Sequence, residues 1–447
     1  MMGIDKNRRF SRTRHKDESG TWYSLDNAGI IMPPVTNRVS TSLFRIEVVL
    51  AAEPDIEALK HALAGTSARF PYFNVTLRRG FFWYYLEQSE TSPILYSDEG
   101  GPSQGWDINR RGTGLFRVRI AGRRLAFEFS HALTDGSGGI SFVKTMLVAY
   151  FGLLGIDPGV ELGSGDYVDI LRVGDEADLG EYEDGYQRFF PGGLPLPEPN
   201  PRAWHIPGPR LPAGCYRVIT GSLDLAPLLA EVKRRGISLT EYLGAIYLDA
   251  LQDLWFASPL RPREHVISLE IPVNLRHFFA TRTNRNFSLF ILLRENLHLG
   301  RRSFDELAKR AHYQMRLEND IKSISRQIAR NAGGTRKMAI RMVPLFIKDV
   351  FAKILFAKLG ETMLSGFLSN LGEIKLPPLV ESRIDSFAFV PAPSVTTLTN
   401  ASVLSFKGRV VLSFGSLAVS RELERLFFTK LRRLGFAAAL TSRGGKE

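Results

Sequence analysis

Two patterns of apolar positions alternate along the first part of the chain, one typical of strands and the other of helices. Short runs rich in β-branched and aromatic residues are separated by segments whose apolar residues recur at helical spacing. The predicted elements are a strand over 44–50, a helix over 56–70, a β-rich segment over 73–86 with Gly80 at its turn, and a hairpin of 115–120 and 125–129 around Gly122. This alternation predicts an α/β subdomain.

A proline-rich stretch interrupts the pattern near the middle of the chain. Residues 191–212 contain eight prolines, and proline breaks the hydrogen-bonding pattern of helices and central strands. Beyond it we predict a strand over 216–219, a helix over 226–235, a helix that Ser238 and Glu241 open as a capping box and that runs through Trp255, and a strand over 265–273.

Strand, helix and strand therefore recur in the same order on both sides of the proline-rich stretch. We expect an N-terminal subdomain over 1–180, a crossover over 181–213 and a C-terminal subdomain over 214–447. The length of 447 residues and the hydrophobic content of 44% suffice for two packed cores. Because ligands often bind where two such units meet, we expect a site between them.

A later segment, 335–359, is helical in pattern, apolar and basic, with Pro344 interrupting it. Basic residues punctuate the apolar ones at Lys337, Arg341, Lys348, Lys353 and Lys358. Two interpretations fit: a helix pair that covers the core, and a helix that makes peripheral contact with a membrane surface.

The charge and the cysteine content limit which partners and which cellular compartment fit this protein. The net charge of +12 fits an anionic ligand such as a nucleotide-bearing cofactor, an anionic membrane, nucleic acid, or a basic surface that only aids solubility. The single cysteine, Cys215, rules out an intrachain disulfide and fits a reducing, cytoplasmic compartment. The basic run 1–10 has no apolar stretch behind it, so we expect no signal peptide, and we expect no spanning helix.

The chemistry centres on the run Leu-Ala-Phe-Glu-Phe-Ser-His at 125–131. Side chains alternate across a strand, so Leu125, Phe127 and Phe129 share one face and His131 extends it. Removal from water favours a neutral imidazole, which is the form that a general base requires. A histidine that is satisfied within the core is the alternative interpretation.

Asp135 follows at the predicted strand-to-helix turn, and a helix is expected from near Ile140. Asp135 is either a site residue or the N-cap of that helix. His131 and Asp135 could also ligate a metal, but no further His or Cys cluster supports this, and we expect none. The glycines at 136, 138 and 139 could cradle a phosphate, although their spacing is not that of a P-loop.

The run His-Ala-Leu-Thr-Asp-Gly at 131–136 resembles the His-x-x-x-Asp-Gly motif of the chloramphenicol-acetyltransferase-like superfamily, which includes condensation domains. Four further segments resemble its bacterial alcohol-acetyltransferase branch in the expected order. They are Trp-Tyr-Ser-Leu-Asp-Asn-Ala at 22–28, the aromatic blocks 69–73 and 80–83, Ile-Pro-Val-Asn-Leu-Arg at 271–276, and Leu-Ser-Asn-Leu-Gly at 368–372 with Leu-Pro at 376–377.

Three features depart from related branches. Ser130 stands where condensation domains usually carry a second His, and 413–416 only faintly echoes the Asp-Phe-Gly-Trp-Gly motif of the plant enzymes. Residues 28–30 read Ala-Gly-Ile where the bacterial branch more often has a second Ala and a Lys.

The resemblance implies an α/β (α+β) fold of two chloramphenicol-acetyltransferase-like subdomains, with mixed sheets flanked by helices and a channel between them. It implies an acyltransferase in which His131 acts as general base and an alcohol or amine acceptor attacks a thioester directly. Acyl-CoA, or an acyl carrier protein thioester, would be the co-substrate, and no cofactor would stay bound. The lack of a Gly-x-Ser-x-Gly elbow fits a mechanism without an acyl-enzyme.

The resemblance also implies the supporting residues. Asp135 would be structural and bond Arg276, whose alternative is an exposed arginine after a strand, and Gly136 would allow a sharp turn beside that pair. Ser369 and Asn370 are candidate donors to the oxyanion, or turn residues before Gly372.

Acyl-CoA-dependent transfer to an alcohol or amine is the leading hypothesis for the function. Transfer from a carrier protein in lipid or peptide secondary metabolism is the alternative within the same fold. A non-catalytic binding protein is a third, and nucleic-acid binding, which we do not expect, would require a contiguous basic face. We expect a monomer.

Overall fold

A computed structural model describes residues 14–17, 20–37, 39–99, 101–103, 105–195, 200–259, 262–355 and 361–444. The strands are β1 Arg14–Asp17, β2 Gly20–Ser24, β3 Leu43–Leu50, β4 Val75–Arg79, β5 Tyr84–Gln88, β6 Leu95–Ser97, β7 Phe116–Ala121, β8 Arg124–Ser130, β9 Arg217–Asp224, β10 Val266–Asn274, β11 Ser288–Asn296, β12 Gly366–Glu373, β13 Ile384–Val390, β14 Thr399–Phe406, β15 Arg409–Ser416 and β16 Ala439–Arg443. The helices are α1 Met32–Val35, α2 Ile56–Arg69, α3 Gly136–Leu153, α4 Gly185–Arg188, α5 Leu225–Arg235, α6 Leu239–Phe256, α7 Phe304–Glu318, α8 Ile321–Arg336, α9 Met338–Arg341, α10 Leu345–Leu355, α11 Pro378–Glu381 and α12 Glu422–Arg433.

The predicted α/β fold class is confirmed, and the predicted strands and helices lie close to the observed ones. The capping box that opens α6 is present, because Ser238 accepts from the Glu241 amide while the Glu241 side chain accepts from the Ser238 amide. The start of α3 near Ile140 is wrong by four residues. The helix begins at Gly136 because Asp135 caps it.

The first large sheet has five strands in the order β13-β3-β8-β7-β6, and only the β6–β7 pair is parallel. Helices α2 and α3 cover one face through an aromatic cluster that includes Phe73, Phe129 and Phe142. Strand β13 comes from the C-terminal part of the chain and pairs with β3. The first sheet is therefore completed by a strand from the other half of the chain.

The second large sheet has seven strands in the order β11-β10-β12-β14-β15-β9-β16. Its pairs β10–β12 and β12–β14 are parallel and the others antiparallel. Helices α6 and α12 pack on it through residues such as Tyr247, Phe414 and Phe427. A small antiparallel sheet, β1-β2-β5-β4, flanks the first sheet.

The predicted crossover contains no long regular element in its proline-rich part. Residues 191–195 and 200–212 hold neither helix nor strand. The division at 181–213 stays a prediction. The basic run 1–10, residues 196–199 of the crossover and residues 356–359 of the predicted helical segment, Lys358 included, lie outside the described residues. Within the described part, no helix combines the length and apolar character needed to cross a bilayer.

Candidate active site

His131 lies at the end of β8 and extends that strand's apolar face. Phe129 pairs directly with Phe44 of β3, and the His131 ring centroid lies 4.8 Å from that of Phe44. The ladder continues for one residue beyond the strand, because the His131 amide donates to the Ser42 carbonyl at 3.1 Å. The Ser130 hydroxyl accepts from the Ala132 amide at 3.1 Å. Ser130 thus tightens the turn that follows His131.

A large cavity of about 2060 Å³ opens in front of His131. Its wall includes residues from both large sheets, among them Phe44 and Phe389 from the first and Asn274 and Ser369 from the second. The His131 side chain is half-buried and faces this space. A cavity of this size exceeds the range typical of single small-molecule pockets, so two reactants have room to meet at the ring.

Burial lowers the pKa of His131 below its ordinary value, because an imidazolium loses hydration in this wall. Three neighbouring groups raise the pKa of His131 but do not outweigh burial. They are the charge of Asp135, the Thr134 backbone and the Asn286 side chain. The ring is therefore neutral near pH 7, the state in which it accepts a proton.

Asp135 caps α3 and forms an ion pair at the same time. Its Oδ1 accepts from the Gly138 amide at 3.1 Å, while Arg276 donates from Nη1 to Oδ2 at 2.9 Å and from Nη2 to Oδ1 at 3.2 Å. The Phe287 amide also donates to Oδ2, at 2.8 Å. Asp135 is therefore the N-cap of α3, and it also forms the pair with Arg276 that the resemblance implies.

Arg276 is held on its remaining sides as well. Its Nε donates to the Thr283 carbonyl at 2.8 Å, its Nη2 to the Arg285 carbonyl at 2.5 Å, and its Nη1 to Asn274 Oδ1 at 3.1 Å. The guanidinium is largely buried rather than exposed after its strand. Arg276 therefore ties the turn after β10 to the start of α3.

The segment 283–287, just before β11, runs along the motif and was missed by the sequence analysis. The Asn284 carbonyl accepts from Thr134 Oγ1 at 2.6 Å. The Asn286 side chain donates to the His131 carbonyl at 2.9 Å. Because these bonds join residues about 150 positions apart, no local pattern marks them. A run of Thr, Asn and Arg before an apolar strand was the only sequence signal.

Asp26 lies beneath this contact in the buried interior. It accepts from the Asn286 side chain at 3.0 Å and from the Gly29 amide at 2.6 Å, and Arg285 approaches it at 3.4 Å. Burial raises the pKa of Asp26, against the opposing effects of Arg285 and Asn286. A chain of bonds thus runs from Asp26 through Asn286 to the His131 carbonyl.

The glycines after Asp135 allow close packing. A Cβ at Gly138 would lie 2.1 Å from the Asn284 carbonyl oxygen, and one at Gly136 would lie 2.5 Å from Leu371 Cδ2. Gly136 does not adopt a positive φ, so the close approach of Leu371, not a sharp turn, is what requires glycine there. The Gly138 amide is bonded to Asp135, which leaves less of this turn free to cradle a phosphate.

Ser369 and Asn370 both line the cavity from β12. The Asn370 amide donates to Thr240 Oγ1 at 3.0 Å, and its Oδ1 accepts from the Gly372 amide at 2.8 Å. Asn370 therefore has the contacts of a turn residue. Ser369 belongs to the cavity wall, and among the described residues its hydroxyl has no such bonds. Their proposed roles as oxyanion donors stay predictions.

Glu270 on β10 is a second cavity residue that the sequence analysis missed. It lines the cavity together with Pro272 and Asn274, which alternate with it along the strand. Within the described chain it forms no ion pair, and burial raises the pKa of Glu270 to about 7. A single carboxylate inside the apolar run 266–273 was the available signal.

The described residues contain no group of three His, Cys, Asp or Glu side chains that could hold a metal ion. Cys215 is a free, half-buried thiol, and it does not line the cavity described above.

Neither family models nor curated protein sequences match this sequence. Solved structures do match over almost the whole chain. Polyketide synthase associated protein 5 from Mycobacterium tuberculosis is 14% identical with a TM-score of 0.56, covering 91% of this chain and 96% of its own. A trichothecene 15-O-acetyltransferase from Fusarium sporotrichioides is 13% identical with a TM-score of 0.59, covering 93% and 95%.

A variant of the starter condensation domain of rhizomide synthetase, in complex with C8-CoA, is 13% identical with a TM-score of 0.57, and the match covers 93% of each chain. Identities this low carry the fold and leave the activity open. The chain therefore shares the mixed α/β fold of these acetyltransferase and condensation-domain structures.

Proposed function

We propose that this protein is an acyltransferase that moves an acyl group from a thioester, acyl-CoA in the first instance, to an alcohol or amine. The observation that carries the proposal is the His131 ring, whose pKa is lowered by burial and which faces a cavity large enough for two reactants. A residue that only filled the core would have no such opening beside it.

The acceptor attacks the thioester directly, and no acyl-enzyme forms. The neutral His131 ring accepts the proton of the acceptor hydroxyl or amine, and the acceptor atom bonds to the thioester carbonyl carbon. The tetrahedral intermediate collapses, the carbon–sulfur bond breaks, and the imidazolium returns its proton to the leaving thiolate. The products are the ester or amide and the free thiol, and His131 ends neutral.

Asp135 and Arg276 position His131. Asp135 belongs to the cavity wall, but both of its carboxylate oxygens already accept hydrogen bonds from the protein. The bidentate ion pair of the two side chains closes the turn between β8 and α3, and Asn286 holds the His131 carbonyl. Holding a catalytic group near its reacting geometry lowers the entropic part of the barrier. Ser369 is the better of the two candidate donors to the oxyanion, because the Asn370 side chain is already bonded to Thr240 and Gly372.

Glu270 recognises a reactant. Glu270 lies four residues before Asn274 on the same face of β10. At about 3.3 Å per residue, the two positions are about 13 Å apart along the strand. Asn274 contacts Ser137 beside the motif through a 3.1 Å hydrogen bond. Glu270 is half-buried in the cavity wall, and its carboxyl can bond a reactant that presents a hydroxyl or an amine at that distance from the motif.

A thiol-release assay tests the proposal. Acyl-CoAs of several chain lengths are offered with a panel of alcohols and amines, and the His131→Ala variant serves as the blank. Acceptor-dependent release of free CoA by the wild type supports the proposal. Release only from acyl carrier protein would shift the donor to a carrier protein, and no release from either donor would contradict the function.

A further inference from the structure

The segment that contains α9 and α10 exposes several large apolar side chains. Seven lie between positions 338 and 354, and they are Met338, Ile340, Met342, Phe346, Val350, Phe351 and Ile354. In α10 the residues 346, 350, 351 and 354 fall at helical spacing on one face. Phe346 is 60% exposed, Val350 57% and Ile354 46%. Apolar patches of this kind on a monomer mark interaction surfaces.

The turn between β4 and β5 extends this surface. Phe81 and Trp83 are exposed there, and the turn is fixed against α10, because the Leu345 amide donates to the Phe81 carbonyl and Lys348 Nζ donates to the Phe82 carbonyl, both at 2.8 Å. These nine side chains form one patch, which we call the α10 surface. It is defined by the seven residues above together with Phe81 and Trp83.

The charges beside the α10 surface are mostly positive. Lys337 and Lys353 are exposed, and Arg341 and Lys348 are half-buried within the same helices. The only carboxylate of residues 337–354, Asp349, is paired with Arg79 at 2.9 Å. Exposed apolar residues flanked by basic ones complement the surface of an anionic bilayer, in which the apolar side chains enter the headgroup region and the lysines meet phosphates.

The α10 surface also borders the cavity. Four residues of this surface are exposed and also line the cavity, so they mark an opening of the cavity at this surface. They are Trp83, Ile340, Met342 and Phe351. On the inner side of α10, Ile347 and Ala352 belong to the cavity wall. An apolar molecule that lies against the α10 surface can therefore enter the cavity in front of His131.

We propose that the α10 surface docks this protein on an anionic phospholipid bilayer, with this mouth of the cavity against the membrane. The docking itself does not depend on acyl transfer. The consequence that one reactant is lipid-soluble and enters from the bilayer rests on the proposed function.

Vesicle sedimentation with the full-length protein tests the docking. We expect the wild type to bind vesicles that contain phosphatidylglycerol more strongly than neutral phosphatidylcholine vesicles, with binding that weakens as salt rises. The triple variant Phe346→Ser, Val350→Ser, Ile354→Ser changes outward side chains that do not line the cavity. It should weaken binding about tenfold or more. Lys337→Gln and Lys353→Gln should each weaken it about fivefold.

Leu299→Ser is the matched control, because Leu299 is 72% exposed and lies outside both the α10 surface and the cavity wall. It should bind as the wild type does, and circular dichroism should show that every variant keeps its fold. Equal binding by the wild type and the folded triple variant would overturn the proposal. So would a wild-type dimer that ignores vesicles and that the triple variant converts to a monomer, since a second copy would then be the occupant. Thiol release measured without lipid reports on the proposed function separately.

Discussion

The carboxylate of Asp135 accepts two hydrogen bonds from the guanidinium of Arg276, one on each oxygen, across 141 positions of sequence. Both side chains are largely buried, and the same carboxylate caps α3. A bidentate pair of this kind fixes direction as well as distance. It connects the turn that carries His131 to the turn after β10, so the two halves of the wall are held together behind the ring.

Asp135→Asn should lower both stability and rate. The substitution keeps a capping side chain but leaves the Arg276 charge buried without its counter-ion, and losing one partner of a buried pair costs about 3–5 kcal/mol. Chemical denaturation should show a loss of about 3 kcal/mol in the free energy of unfolding. Asp55→Asn is the control, because Asp55 caps α2 in an exposed position, and it should cost only a few tenths of a kcal/mol. Equal losses in the two variants would contradict a structural ion pair.

Asn286→Ala should lower kcat with little change in KM. Asn286 belongs to the cavity wall, but its side-chain NH2 group is already bonded to the His131 carbonyl and to Asp26, so its main effect is to position the base. A small displacement of the base reduces kcat about tenfold to a hundredfold. Asn284→Ala is the control, since its side chain bonds Tyr72 instead while its carbonyl still meets Thr134. A rise in KM with unchanged kcat would argue against a positioning role.

The acid limb of the pH profile should lie below the ordinary histidine value of about 6.5. Burial lowers the pKa of His131, the neutral ring is the active form, and activity is therefore lost only as pH falls through that lowered pKa. The measurement is kcat/KM between about pH 5 and 8. Glu270 and Asp184 in the cavity wall both have pKa values raised to about 7 by burial, so the limb is also measured in Glu270→Gln and in Asp184→Asn. An acid limb that stays near 7 in the wild type and in both variants would contradict the assignment of the limb to His131.

Glu270→Gln should raise the KM of one reactant about tenfold and leave kcat within a few-fold. A carboxylate that bonds a hydroxyl or amine contributes about 1.5–3 kcal/mol, which a neutral amide reproduces only in part. Glu373→Gln, at the exposed end of β12, should change neither constant. Unchanged KM values for both reactants in the Glu270 variant would remove its proposed role.

The predicted elements came from local periodicity, and the structure reproduces them because strands such as β3 and helices such as α2 are fixed by short-range patterns. The α/β class followed from their alternation. The addition of β13 to the first sheet could not be predicted, since it pairs with β3 more than three hundred positions earlier.

The residues of the candidate site also divide into those that the sequence could predict and those that it could not. The positions of His131 and Asp135 could be predicted from the sequence, because a strand and a helix cap are local features. The Asn286 bridge and the buried Asp26 depend on contacts between distant segments, which one sequence does not encode visibly. Glu270 could have been singled out, because one carboxylate interrupts an otherwise apolar strand.

The most direct test of the central claim is the rate of thiol release from acyl-CoA by His131→Ala, measured with a saturating acceptor alongside the wild type and His61→Ala. His61 lies on the exposed side of α2, so its variant should keep the wild-type rate. If His131 is the general base, His131→Ala loses about 10²–10⁴-fold in kcat while its melting temperature stays within a few degrees. A folded His131→Ala variant that releases thiol at the wild-type rate would contradict that role.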